Sequence, residues 1–211
     1  MIKLKPMPLR AIHTLIRTMT PSLKNKLGQL IVRFTLVFSL LTGVNQTVNA
    51  SSHGDFKEVM NLQQLAETSN QTGLPILLMF GATWCEYCEE LIDQVFEPIA
   101  RGGNYDGKVV LMRHVGVDEQ TRIPGFDGQL IKKSEWAYQL NADLTPTVLF
   151  LDGTGKEVAP RIVGITNTHL YAGLIHSKLN IAYKNMNNPY RIPITPDLYE
   201  QQLQQTIKPE F

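Results

Sequence analysis

The stretch Pro75-Ile76-Leu77-Leu78-Met79-Phe80-Gly81-Ala82-Thr83-Trp84-Cys85-Glu86-Tyr87-Cys88-Glu89-Glu90-Leu91-Ile92-Asp93-Gln94-Val95-Phe96 decides how the rest of the chain is read. Pro75 to Phe80 is an apolar run of strand length, of the kind found in a central strand buried on both faces. Glu89 to Phe96 has a helical pattern. Cys85 and Cys88, the only two cysteines in 211 residues, therefore sit at a strand-to-helix junction. A thiol at a helix N-terminus meets unpaired N–H groups and the positive end of the helix dipole, and both favour thiolate. Thiolate is the form that attacks a disulfide, and a second thiol one turn on completes the exchange. The spacing implies a dithiol/disulfide redox site.

Two other uses of a cysteine pair fit less well. A structural zinc site needs four ligands, and the sequence has no second pair, with His53, His114, His169 and His176 scattered singly. An inert structural disulfide would close so small a loop that it would constrain the unfolded chain little.

Working outward, the N-terminal third has its own character. Lys3, Lys5, Arg10, Arg17, Lys24, Lys26 and Arg33 precede the first acidic residue, Asp55. The apolar run Phe34 to Val44 and the small-residue exit Val48-Asn49-Ala50 follow. This order predicts a secretory signal peptide over 1–50, cut after Ala50. The alternative is an uncleaved anchor, but the run falls short of the ~20 apolar residues a span requires. The formal charge is +1 overall, whereas 51–211 holds 13 basic and 19 acidic residues, a charge of −6. An acidic surface argues against nucleic acid or an anionic membrane as partner.

Along the remainder, Asp55 to Asn70 approximates helical spacing and is ended by Gly73 and Pro75. Ile76 to Phe80 is a strand, and Glu86 to about Arg101 a helix that Pro98 should kink or end. Val109 to Val117 is a strand and Gln120 to Lys133 a loop. Ser134 is placed to cap a short helix ending near Leu140. Thr147 to Leu151 and Val158 to Val163 flank the hairpin signal Asp152-Gly153-Thr154-Gly155. Thr166 or Asn167 caps a helix to about Leu179, with Leu170, Leu174 and Ile175 facing inward. Thr195-Pro196-Asp197 starts a last helix to about Ile207. The layout is α/β, a mixed central sheet with helices on both faces. The expected division is 1–50 signal, 51–183 domain and 184–211 a C-terminal appendage outside the core.

With strand, Trp-Cys-x-x-Cys and helix in order, the chain resembles the thioredoxin family. Gly81-Ala82-Thr83, Thr145-Pro146-Thr147, Phe150 to Glu157 and Val163-Gly164 carry the resemblance further, over roughly residues 55–180. Within the family it is similar to exported members: the thioredoxin domain of transmembrane disulfide reductases, and periplasmic thioredoxins linked to sulfur oxidation. The resemblance implies a thioredoxin fold with Cys85 as attacking thiol and Cys88 as resolving thiol. It implies a cis peptide at Thr145–Pro146, and substrate contacts at Trp84, Thr145, Pro146 and Gly164. It implies an exported, periplasmic thiol:disulfide oxidoreductase without cofactor or metal. Its partners would be disulfide-containing client proteins and a membrane thiol-relay reductase as electron donor.

Two departures stand out. The buried acid that thioredoxins usually carry six residues before the first cysteine is replaced by Met79, which cannot accept a proton. His114, on the neighbouring strand where the family often has lysine, is the candidate for proton transfer. The stretch 118–145 is also about a dozen residues longer than in compact members, which makes 122–130 a candidate recognition loop. Rival functions are an oxidase that introduces disulfides, and a thioredoxin-fold binding module whose cysteines matter little.

Overall fold

The computed structural model describes residues 55–165 and 167–207, all within the unit Ser51–Phe211. The expected signal segment 1–50 and the start 51–54 lie outside the described residues.

Strand β1 (Ile76–Gly81) is the hub, and every one of its residues is buried. It pairs in parallel with β2 (Leu111–Gly116) and antiparallel with β5 (Thr147–Leu151). β6 (Glu157–Val163) returns antiparallel to β5, giving the order β2-β1-β5-β6. Alternation of side chains along a strand splits the apolar run between two cores. Leu77 and Met79 join Leu91, Ile92, Val95, Phe96, Tyr171 and Ile175 on one face. Ile76, Leu78 and Phe80 join Leu62, Leu65, Ile123 and Ala137 on the other.

The helix after the cysteines has three parts. α2 (Glu86–Leu91) runs through a π-helical turn, Ile92–Phe96, into α3 (Glu97–Arg101). The helix reaches Arg101 as expected, and Pro98 does not end it. Proline cannot donate to the residue one turn back, and the π turn just ahead of it alters the hydrogen-bond ladder where that donor is missing.

Several other sequence expectations need correction. The first helix, α1 (Leu62–Thr72), begins at Asn61, whose side chain accepts from the Gln64 N–H at 2.9 Å. Residues before it are extended rather than helical: Glu58 bridges alongside His114, with His114 N–H to Lys57 C=O at 2.9 Å and Val59 N–H to His114 C=O at 2.8 Å. Phe56, read as a helical residue, instead stacks on Phe96 with ring centroids 4.7 Å apart. The expected loop 120–133 contains a hairpin of β3 (Arg122–Pro124) and β4 (Leu130–Lys132). Helix α4 (Lys133–Gln139) starts one residue before Ser134, so Ser134 is not its cap.

Helix α5 (Thr168–Asn185) is capped by Asn167, which accepts from the His169 N–H at 2.9 Å, and it runs six residues past the expected end. Its inner face is Tyr171, Ile175, Leu179, Ala182 and Tyr183; Leu170, expected inward, is 70% exposed. The C-terminal segment is more than an appendage. Ile192 and Tyr199, the latter on α6 (Pro196–Ile207), are buried in the same core as Met79 and Phe96. Asn180 binds both the N–H and the C=O of Ile192, at 2.9 and 2.8 Å. Tyr199 donates to the Asn104 carbonyl at 3.0 Å.

Candidate active site

Cys85 and Cys88 form a disulfide with Cα atoms 5.2 Å apart. Cys85 is the N-cap of α2, and its sulfur accepts from the Cys88 N–H at 3.2 Å. The sulfur therefore stands where the helix offers unsatisfied donors, the position expected to favour thiolate once the bond is reduced. Cys85 is 8% exposed and Cys88 2%, so the first cysteine is the more accessible. Trp84 and Tyr87 flank the pair on the surface at 69% and 64% exposure.

The Thr145–Pro146 bond is cis. The Gly164 N–H donates to the Pro146 carbonyl at 2.8 Å, and Gly164 has φ 75°, a left-handed conformation that glycine adopts without a Cβ clash. Thr145, Pro146, Gly164 and Ile165 line an open groove together with Tyr87 and Glu90 of α2. Three separate sequence motifs thus converge beside the cysteines. The Thr145 hydroxyl oxygen is buried and has no hydrogen-bond partner among the described residues.

Cys88 also lines a cavity of about 150 Å³, together with Ala82, His114, Asp118 and Glu119, among others. Met79 and His114 are partners in the β1–β2 register, so the two departures noted in the sequence are neighbours in space. His114 Nδ1 donates to Glu58 Oε2 at 2.5 Å. Glu58 Oε1 accepts from the Gly116 N–H at 2.9 Å and from Lys133 Nζ at 2.6 Å. Lys133, fully buried, also binds Glu119 Oε2 at 2.6 Å. Burial alone would push the Glu58 carboxyl up. The His114 bond and charge, the Lys133 bond and the Gly116 N–H outweigh it and hold the carboxyl below its ordinary range. Lys133 shows the same balance with opposite sign: burial pulls it down, while Glu119 and Glu58 raise it above its ordinary value.

Asp118 fastens the loop before the cysteines. Its Oδ2 accepts from the Thr83 N–H at 3.0 Å and from the Thr83 hydroxyl. Burial raises this carboxyl, but the two Thr83 bonds and the nearby His114 carry it below its ordinary range. Glu58, Lys133, Glu119 and Asp118 were not singled out in the sequence. Among them Asp118 and Glu119 had a local signal, as the two acids that bound the end of the strand Val109 to Val117.

Residues 62–178 match the family of thioredoxin-like domains. The chain belongs to the thioredoxin-like family. Its Cys85–Cys88 pair fits a Cys-x-x-Cys motif. A curated relative is the thiol:disulfide interchange protein DsbD of Cronobacter sakazakii, 26% identical over 132 residues. The alignment covers 62% of this chain and 21% of that protein, so this thioredoxin-like chain spans about a fifth of its relative's length. Among solved structures, a DsbH oxidoreductase is 22% identical with a TM-score of 0.46, covering 67% of this chain and 96% of that one. Thioredoxin from Malassezia sympodialis is 24% identical with a TM-score of 0.41, covering 60% and 92%. No helix among the described residues is long and apolar enough to cross a membrane.

Proposed function

We propose that the protein is an exported thiol:disulfide reductase acting on client proteins. The observation that carries this is the Cys85–Cys88 disulfide at the N-cap of α2, beside the groove formed by the cis Thr145–Pro146 bond and Gly164. In the reduced enzyme the Cys85 thiolate attacks one sulfur of a client disulfide. The client's other sulfur leaves as thiolate and takes a proton. Cys88, as thiolate, then attacks Cys85 Sγ; the Cys85–Cys88 bond forms, the mixed disulfide breaks, and the client's second sulfur leaves. Two electrons pass from the dithiol to the client. An extended client segment lies in the groove, paired with the Thr145 backbone and covered by Trp84.

The basic, apolar and small-residue order of 1–50 supports export to the periplasm and removal of that segment, leaving the domain 51–183 with its C-terminal extension 184–211. Outside the cytosol a reductase needs a donor, and a membrane thiol relay supplies one; the likeness to a thiol:disulfide interchange protein supports that partner. Glu86, Glu89 and Glu90, all exposed on the first turns after Cys85, oppose a strongly stabilised thiolate and so favour the reducing direction.

The test is equilibration with glutathione buffers combined with insulin reduction. A potential near that of thioredoxin, about −270 mV, with turnover of insulin, is expected. A value near −120 mV would mark an oxidase. A pair that exchanges with nothing would mark a binding module. Non-reducing gels assign the roles: Cys88→Ala traps a client on Cys85, and Cys85→Ala traps none.

A further inference from the structure

The resolving step demands a thiolate at Cys88, and Cys88 is almost wholly buried. Burial in apolar surroundings disfavours the charged form, so the proton needs an acceptor inside the protein. Met79, at the position where an acid is usual, has none to offer. The cavity beside Cys88 presents four titratable groups: Glu89, His114, Asp118 and Glu119. Asp118 takes both Thr83 bonds on Oδ2; its Oδ1 is buried without a hydrogen-bond partner among the described residues, but those bonds hold the carboxyl below its ordinary range and make it a weak base. Glu119 is committed to Lys133. Glu89 is exposed on α2.

His114 is placed differently. A carboxylate can only accept, so the bond to Glu58 puts the proton of a neutral ring on Nδ1 and makes Nε2 the basic nitrogen. Nε2 and Cys88 Cβ converge on one spot: they lie 2.7 and 3.4 Å from the point where a Cβ on Gly81 would stand. Glu58 is in turn anchored by the Gly116 N–H and by buried Lys133. The Phe56 ring meets the imidazole edge-on, with centroids 6.2 Å apart.

We infer that His114 Nε2 accepts the Cys88 proton, directly or through one water in the cavity, and that Glu58 is the positioning residue that fixes its tautomer and stabilises the imidazolium. This rests on the redox reading of the cysteines. In the balanced step the Cys88 S–H bond breaks and its proton goes to Nε2. The thiolate forms the S–S bond to Cys85, the mixed-disulfide bond breaks, and the departing client thiolate takes its proton from the imidazolium or from solvent. The acceptor thus stands on β2 rather than on its parallel neighbour β1, where Met79 sits opposite His114.

Stopped-flow single turnover of the full chain on a model disulfide separates the two chemical steps. For His114→Gln we expect mixed-disulfide formation by Cys85 at the wild-type rate, and resolution slowed by about 100-fold near pH 7. The deficit should close as pH rises and Cys88 ionises unaided. Glu58→Gln should shift the pH midpoint of resolution while leaving the first step unchanged. A folded His114→Gln with wild-type resolution across pH 6–9 overturns the inference.

A second measurement needs no variant. In NMR titrations of the reduced wild-type chain, the His114 ring and Cys88 Cβ resonances should follow a shared, coupled pH curve, and the coupling should vanish in the oxidised protein. Independent titration overturns the assignment. If wild-type protein reduces nothing, the reductase reading fails, and this titration still decides whether the two groups are coupled.

Discussion

His114 Nε2 lies 2.7 Å from the point where a Cβ on Gly81 would stand, closer than side-chain carbons pack. Met79 Sδ crowds the same point at 3.3 Å, and Cys88 Cβ is in contact with it at 3.4 Å. Glycine here is a matter of space, not of backbone freedom. Gly81→Ala forces the imidazole to move, and the imidazole is tied to Glu58. Overpacking of this kind costs about 1–3 kcal/mol. The expected outcome is a lower denaturant midpoint together with slower resolution of the mixed disulfide. A stability loss with unchanged resolution would show that His114 can shift without consequence for Cys88.

The Lys133 ammonium is fully buried between two carboxylates, each at 2.6 Å. Lys133→Met leaves both without their cation. Removing one partner of a buried pair costs about 3–5 kcal/mol, and the partial exposure of Glu58 and Glu119 places this case at about 2–3 kcal/mol. The pH dependence follows from the shifts. Glu58 is held below its ordinary 4.5, so its contribution is complete above that pH and fades as pH falls through the lowered folded-state value. Lys133 is raised above 10.5, so its contribution is complete below that pH and fades as pH rises through the raised value. Urea midpoints measured from pH 3 to 11 should show both limbs, with Glu58→Gln flattening the acid one. An unaltered acid limb in that variant would place the sensitivity elsewhere.

Tyr199 joins α6 to the core. Its ring packs edge-on against Tyr105 and His176, at centroid distances of 5.2 and 6.2 Å. His176 is buried, and burial lowers its affinity for a proton; the neutral ring donates Nδ1–H to the Pro193 carbonyl at 2.6 Å and accepts from the Tyr105 hydroxyl at 2.9 Å. Tyr199→Ala opens a cavity against this cluster and should cost about 3–5 kcal/mol. Truncation after Asn188 should cost at least as much. Calorimetry on the full chain and the truncated one checks this, and equal melting temperatures would return the segment to the role of an appendage.

What was legible in the sequence is what local pattern encodes. The apolar run Ile76 to Phe80 announces a doubly buried strand, the Cys85–Cys88 spacing announces a site at a helix start, and the pair Thr166-Asn167 announces a cap, which Asn167 supplies. Each needs only neighbours within a few residues. His114 was legible as a candidate for proton transfer, but its surroundings were not: Glu58 lies 56 positions from His114 and 75 from Lys133, and they meet only in the folded chain. Glu58 was hidden further by sitting in a segment with helix-like apolar spacing. That segment instead completes the edge of β2, where the backbone donors and acceptors of His114 had to be satisfied. The hairpin of β3 and β4 escaped because three-residue strands show too little alternation to register. Leu170 was misplaced because the buried stripe of α5 is set by Tyr171 and Tyr183, and their bulk outweighs a leucine one position away.

The last prediction concerns direction of electron flow. Glu86 is the first residue of α2, directly after the N-cap sulfur, and Glu89 lies in the same first turn. No Lys, Arg or His occurs between Phe80 and Glu97 to offset them. Carboxylates there stabilise the helix through its dipole, yet they oppose a thiolate at Cys85. Their exposure lets solvent and salt screen the effect, so each charge acts modestly. Glu86→His replaces a carboxylate with a neutral or cationic ring and should lower the Cys85 thiol pKa by about half to one unit. One unit is about 1.4 kcal/mol, and for this two-electron couple about 30 mV. The variant should therefore be about 15–30 mV more oxidising, with insulin reduction slowed in proportion. Alkylation rate against pH gives the thiol pKa, and glutathione equilibration gives the potential. If the pKa falls and the potential stays fixed, the oxidised form has changed in step with the reduced one. The acidic first turn would then not be what sets the direction.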